Sequence, residues 1–266
     1  MRKSVNNERP FGHCPLTDGH AHLNKKVLPV LLDRMDELGI DMTVVVASGI
    51  IDPYELAHRI IYGLDLDDID VFKANEYVIE ASCIHPKLLP FFFVNPFHAP
   101  TTAVLEQISH CCGLKIAPAV HGIGFMDPRI KEYILIAMEY NMPVYSHCLS
   151  FPSCSVEAFV DLARSFPEVS FILGHGGRGN LDLCAIDLIR LNENICMETS
   201  GSFDYVIHEA VKNLGADRVI FGSEFPLQHQ IVELTKISRL LSAVEFERVA
   251  NDNIFRLIGK EYALVP

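Results

Sequence analysis

Positive charge is scarce in this chain of 266 residues: Lys and Arg number 22 against 34 Asp and Glu, a formal net charge of -12. A surface that grips nucleic acid needs clustered Lys and Arg to meet phosphates, so that class of partner is excluded. Apolar runs are short as well. None approaches the roughly 20 residues that span a bilayer, so no membrane partner is expected, and the opening stretch MRKSVNNERPFGH lacks the apolar core of a signal peptide. A soluble, cytoplasmic protein is the expectation. There is also no C-x-x-C pair among the 8 cysteines, of which Cys111 and Cys112 are adjacent. Free thiols in a reducing compartment fit this better than a disulfide framework. Linkers, repeats and low-complexity segments are missing too. One domain over 1–266, with its core at about 16–259, follows.

What is present is one alternation, repeated. β-branched or aromatic runs (TVVVA from Thr43, FFFVN from Phe91, LKIAP from Leu114, PVYSH from Pro143, VSFILGH from Val169, NICMET from Asn194, RVIFG from Arg218) are separated by amphipathic ones. VLPVLLDRMDELG stops at Gly39 as a helix C-terminus does, and PRIKEYILIAMEYN opens with Pro128 after Asp127, an N-cap followed by a first-turn proline. Continuous apolar strands between helices imply a parallel sheet covered on both faces. With LTDGHAHL the strands number eight, which in this length predicts a distorted α/β barrel of the (β/α)8 type. A doubly wound open sheet is the runner-up. The stretch from Gly49 to Asp70 is the one long excursion, expected to lie over the barrel mouth.

Most of the 12 histidines fall in predicted loops or on helix surfaces, where solvation or capping accounts for them. Three places differ. TDGHAHLN sets Asp18, His20 and His22 two residues apart on one strand, hence on one face; His147 and His175 each end a strand; and Glu224 ends RVIFGSEFP. A charge at the lip of a core is costly unless something positive faces it. In a barrel all strand C-termini meet at one mouth, and imidazoles with a carboxylate are ligands for zinc and similar divalent ions. The expected metal set is His20, His22, His147, His175 and Glu224, holding a divalent metal, zinc first, as one ion or two. Phe91 to Phe93 read as packing, and Cys148 is not read as a nucleophile.

The succession DGHAH, GLKIAP, MPVYSH, FILGHGG, METSG and RVIFGSEFP resembles the amidohydrolase superfamily, in the branch called amidohydrolase-related or amidohydrolase 2, from Asp18 to about Gly259. The resemblance implies a metal-bearing barrel. It implies that His20, His22 and His147 ligate the metal. It makes His175 a ligand of a second metal or a substrate contact that moves protons, and puts Glu224 where the family has an aspartate that touches metal and takes the water's proton. Glu224 thus departs from the pattern by one methylene. Lys115 matches the lysine of the family's G-x-K-L-H-P segment, as a substrate-binding cation, a carboxylated metal bridge or a buried lysine paired with an acid; Ala117 stands where that segment has histidine.

Chemically, such a metal lowers the pKa of water from about 15.7 toward about 7. A carboxylate within hydrogen-bond reach accepts the proton, making Glu224 the catalytic base, with His175 the catalytic group that steadies an oxyanion or protonates a leaving group. Asp18 either orients a ligating histidine or is an acid at the barrel floor. Arg178 in GHGGRGN either meets a substrate carboxylate or is a surface arginine, and His121 either lines the pocket or is a loop residue. The first expectation is therefore a metal-dependent hydrolase of an amide, ester or lactone in a small, carboxylate-bearing substrate. The alternatives are a nonoxidative decarboxylase of an aromatic or unsaturated acid, and a catalytically impaired barrel that binds a small molecule or protein. A homo-oligomer is compatible with all three.

Overall fold

The eight runs become eight parallel strands in the computed structural model, which describes residues 11, 14–48, 53–62 and 70–259. They are β1 (Thr17–Leu23), β2 (Met42–Ala47), β3 (Leu88–Phe93), β4 (Gly113–Ile116), β5 (Val144–Ser146), β6 (Phe171–Leu173), β7 (Ile195–Glu198) and β8 (Val219–Ile220). Between and after them come α1 (Leu28–Leu38), α2 (Pro53–Tyr62), α3 (Phe72–Ile84), α4 (Thr102–Ser109), α5 (Pro128–Glu139), α6 (Val156–Ser165), α7 (Leu183–Arg190), α8 (Asp204–Leu214), α9 (Gln230–Leu240), α10 (Ala243–Glu247) and α11 (Asn253–Ile258). The helix boundaries follow local chemistry. Gly39 ends α1 in the left-handed region at φ 71, and the Asp127 side chain accepts the Arg129 N–H at the start of α5.

Strand order is sequence order, β1 through β8, every pair parallel. An open doubly wound sheet would reverse order at a switch point, and no reversal occurs. Closure is made by the chain just beyond β8. Gly19 N–H donates to Phe221 O at 2.8 Å, His22 N–H donates to Phe225 O at 2.7 Å, and Ala21 bridges Phe225. The fold is a single-domain, distorted (β/α)8 barrel.

Apolar packing occupies two places. One cluster fills the space between strands and helices, with Leu31, Ile134 and Phe159 fully buried. The other collects alternate strand residues that point inward, among them Val44, Phe91, Ile172, Cys196 and Ile220, together with Ile254, Phe255 and Ile258 of α11. Asn253 donates to Ala216 O and Val219 O at the start of β8, so α11 closes the barrel at the N-terminal ends of the strands. Polar groups are left to the other end.

Three details correct the simple strand reading. β1 carries an extra residue between Asp18 and Ala21, which oppose Thr43 and Val45, so the strict alternation over Asp18, His20 and His22 is broken by a bulge. β8 stops two residues earlier than RVIFG suggests, because Phe221 N–H turns to Val249 O. The excursion after β2 contains α2; the rest of that stretch, and with it the expected cover over the mouth, lies outside the described residues. Among the described residues no helix is long and apolar enough to cross a membrane.

Candidate metal centre

The C-terminal end of β1 meets the turn after β8. His20 Nε2 lies 2.9 Å from Glu224 Oε2 and His22 Nε2 lies 3.1 Å from Glu224 Oε1. One potential ligand atom from each of these three residues falls within 4.8 Å of the others. His175 approaches from the end of β6, its Nδ1 3.4 Å from Glu224 Oε2. The His147 ring stands further off, its centroid 6.3 Å from that of His175. Of the five residues expected as ligands, the structure therefore draws three into one tight group, sets His175 against its carboxylate and leaves His147 outside that group, beside His175.

Reaching these positions costs backbone freedom. His175 (φ 59, ψ 26) and Glu224 (φ 59) both adopt the left-handed conformation that non-glycine residues avoid. Hydrogen bonds hold them there. His175 N–H donates to Glu198 Oε2 at 3.0 Å, and Glu224 N–H to His20 O at 2.9 Å. Asp18, fully buried, fixes the same turn. It accepts from Ser223 N–H (2.9 Å), Ser223 Oγ (2.6 Å), Gln230 Nε2 (2.9 Å) and His20 N–H (3.2 Å). Neither sequence-based role for Asp18 survives: it holds no imidazole and anchors the Glu224 turn instead. Burial pushes its carboxyl up to about 6 against the pull of those donors.

Electrostatics at the centre favour a cation. Burial lowers the pKa of His20 and His147 well below the ordinary value and that of His175 to about 4, so these rings are neutral at neutral pH. Burial works against ionisation of Glu224 too, and the rings of His175, His22 and His20 draw its carboxyl well below the usual range to the extent that one of them takes up the proton. Its ion-pairing neighbours within 4 Å among the described residues are these imidazoles alone. His20 Nδ1 and His147 Nε2 are buried without hydrogen-bond partners, and His20 Nε2 and Glu224 Oε2, though 2.9 Å apart, are not aligned for a hydrogen bond. Such atoms are normally satisfied, and the donor set is one that divalent ions accept. These residues fit a metal.

Beneath the group lies a layer of which the sequence reading singled out Lys115 alone. Tyr145 stacks on His20 with centroids 4.1 Å apart, and Lys115 Nζ sits 4.0 Å over the Tyr145 ring. Glu198, at the end of β7 and fully buried, accepts from Tyr145 Oη (2.7 Å), Ser200 N–H (2.5 Å) and Ser200 Oγ (2.9 Å) besides His175 N–H. Burial pushes its carboxyl up to about 7 and the Lys115 ammonium down to about 8. Room for these side chains comes from missing ones: a Cβ on Gly174 would fall 2.3 Å from Tyr145 Oη, and one on Gly222 2.3 Å from Glu198 Oε1. The signal that would have found Glu198 is the one that singled out Glu224, a carboxylate closing a buried strand.

The remaining expected residues are elsewhere in purpose or position. Arg178 Nε donates to Asp182 Oδ2 at 3.1 Å and Nη1 lies 4.0 Å from Glu157, so its guanidinium is held by acids of the chain. His121 is fully buried beyond β4, its ring 6.1 Å from both Phe93 and Phe97. All the described cysteines are free thiols.

Solved structures share this barrel. Aligned with 5-carboxyvanillate decarboxylase from Sphingomonas paucimobilis, the chain gives a TM-score of 0.68 at 15% identity over 92% of its length and 99% of the other. With a probable 2-pyrone-4,6-dicarboxylic acid hydrolase from Acinetobacter baumannii the values are 0.67, 14%, 92% and 99%. With a manganese-bound dihydroxybenzoic acid decarboxylase from Polaromonas sp. JS666 they are 0.64, 14%, 95% and 100%. At these identities the likeness concerns the fold. No curated protein matches the chain in sequence. Residues 17–260, however, match the family model described as Amidohydrolase, and the chain belongs to the amidohydrolase family.

Proposed function

We propose that this chain is a metal-dependent enzyme that hydrolyses an amide, ester or lactone in a small carboxylate-bearing substrate. The observation that carries this reading is the convergence of His20, His22 and Glu224, with ligand atoms within 4.8 Å and buried atoms left unpartnered. A divalent cation, zinc in this proposal, supplies Lewis acidity there when bound, polarising a carbonyl and acidifying water.

The chain's own groups then divide the work. Glu224, held ionised, is a proton acceptor, and neutral His175 takes or returns a proton at its free ring nitrogen. A site provided with a carboxylate and a neutral imidazole suits a reaction that begins by removing a proton from water. Lys115 is the buried cation of the layer below and makes no ion pair within 4 Å among the described residues. It is the natural mate for a substrate carboxylate.

Nonoxidative decarboxylation is the second reading, favoured by the same ammonium and by the decarboxylases that share the fold. The two separate by product. Protein purified without chelator is assayed for bound metal, then loaded with zinc or manganese and offered lactones, amides and aromatic carboxylates, with hydrolysed fragments and carbon dioxide followed together. Fragments without carbon dioxide support hydrolysis; carbon dioxide overturns it in favour of the second reading. A site that takes up no metal would sink both, and would leave the barrel as a binding protein.

A further inference from the structure

We infer that Glu198 and Ser200 are positioning residues that fix the tautomer of His175, so that its Nδ1 carries the proton and its Nε2 presents the lone pair. This deepens the functional reading above, in which His175 is a reacting group.

The inference rests on where the protons of the network go. Glu198 Oε2 is met by three donors, Tyr145 Oη at 2.7 Å, Ser200 Oγ at 2.9 Å and His175 N–H at 3.0 Å, and Oε1 by Ser200 N–H at 2.5 Å. A carboxylate oxygen surrounded in this way accepts and does not donate. The single hydrogen of the Ser200 hydroxyl is therefore committed to Glu198. Ser200 Oγ also lies 2.8 Å from His175 Nδ1, nearer than Glu224 Oε2 at 3.4 Å or Glu198 Oε2 at 3.7 Å, the carboxylate oxygens that Nδ1 also faces, and with its hydrogen spent it accepts there. A neutral imidazole has one N–H. That N–H is on Nδ1, and Nε2, which makes no hydrogen bond to the described residues, is left basic. The same carboxylate that orders the hydroxyl also grips the His175 backbone in its left-handed turn, so ring identity and ring placement are set together. A catalytic histidine whose tautomer is left open divides its population between one useful form and one useless form.

The test is the 15N resonances of the His175 ring, recorded on the metal-free full chain at mildly alkaline pH, where protonated and unprotonated ring nitrogens are well separated. The expected result is a protonated Nδ1 and an unprotonated Nε2 in the parent. In Ser200→Ala the Nε2–H form becomes the majority, and Ser200→Thr, which keeps the hydroxyl, restores the parent pattern. Glu198→Gln, which frees the hydroxyl hydrogen, shifts the balance the same way as Ser200→Ala. A parent ring protonated at Nε2, or an Nδ1–H form that persists in Ser200→Ala, overturns the inference. No metal or substrate enters the measurement. An enzyme without turnover but with the expected tautomer would count against the proposed function alone; turnover with the wrong tautomer would count against this inference alone.

Discussion

Replacing Lys115 by methionine keeps the unbranched side chain but for its terminal amine and removes its charge, and it should make the protein more stable at neutral pH. Lys115 is 2% exposed, and burial lowers its pKa from 10.5 to about 8. At about 1.4 kcal/mol per pH unit that difference is an electrostatic penalty of about 3 kcal/mol on the folded state at pH 7. The favourable contact with the Tyr145 ring is worth about 1 kcal/mol, so the net gain from Lys115→Met is about 2 kcal/mol. The pH dependence has a definite sign. A base with a depressed folded pKa contributes its stability above the unfolded value of 10.5 and loses it as pH falls through about 8. The parent should therefore gain stability between pH 8 and 10.5 relative to Lys115→Met, and the two curves should converge. Urea unfolding of both chelator-treated proteins at neutral and alkaline pH reads this directly. A variant that is less stable at pH 7, or parallel curves, would refute the reasoning and show that the buried amine is favourably paired. Under the proposed function the same change weakens carboxylate substrates, so stability and KM rise together.

Other substitutions probe other links. Glu224→Gln should lower kcat by 100-fold or more in a metal-loaded steady-state assay, as the loss of a general base does, whereas His20→Ala should lose the metal itself, read by elemental analysis. Asp18→Ala leaves three buried donors, His20 N–H, Ser223 Oγ and Gln230 Nε2, without their acceptor, while Ser223 N–H keeps His20 O; at about 1 kcal/mol each, the low end for such groups, urea unfolding should show a loss of about 3 kcal/mol. Gly222→Ala drives a methyl group to 2.3 Å from Glu198 Oε1 and should cost about 1 to 3 kcal/mol as overpacking, with a matching fall in the thermal midpoint.

The barrel was legible because its signal is redundant: seven strands fall in apolar runs, and several helices carry their own start or stop, such as Asp127 or Gly39. The meeting of His20, His22 and Glu224 followed from the barrel alone, since strand C-termini share one end. What could not be read was anything that depends on a register or a turn. The bulge in β1 turned Asp18 from the histidine rings to Ser223 and Gln230. The hold of Asp182 on Arg178, four residues before it, depends on the turn of the glycine-rich loop between them. Glu198 ends NICMET much as Glu224 ends RVIFGSEFP, but its partners Tyr145 and His175 come from β5 and the end of β6 and meet it only in the closed barrel.

The closure between β1 and the segment after β8 is made by a few irregular hydrogen bonds around Gly19, His22, Ser223 and Glu224, where other neighbouring strands share a regular ladder. The candidate site straddles that junction, with His22 and Glu224 202 residues apart in sequence. A ligand gripped from both sides therefore ties one end of the fold to the other, and its binding energy adds to the cohesion of the joint that closes the sheet. Loading the site should slow amide hydrogen exchange at Gly19, His22 and Glu224 ahead of amides in β4 and β5, linking occupancy of the centre to opening of the barrel.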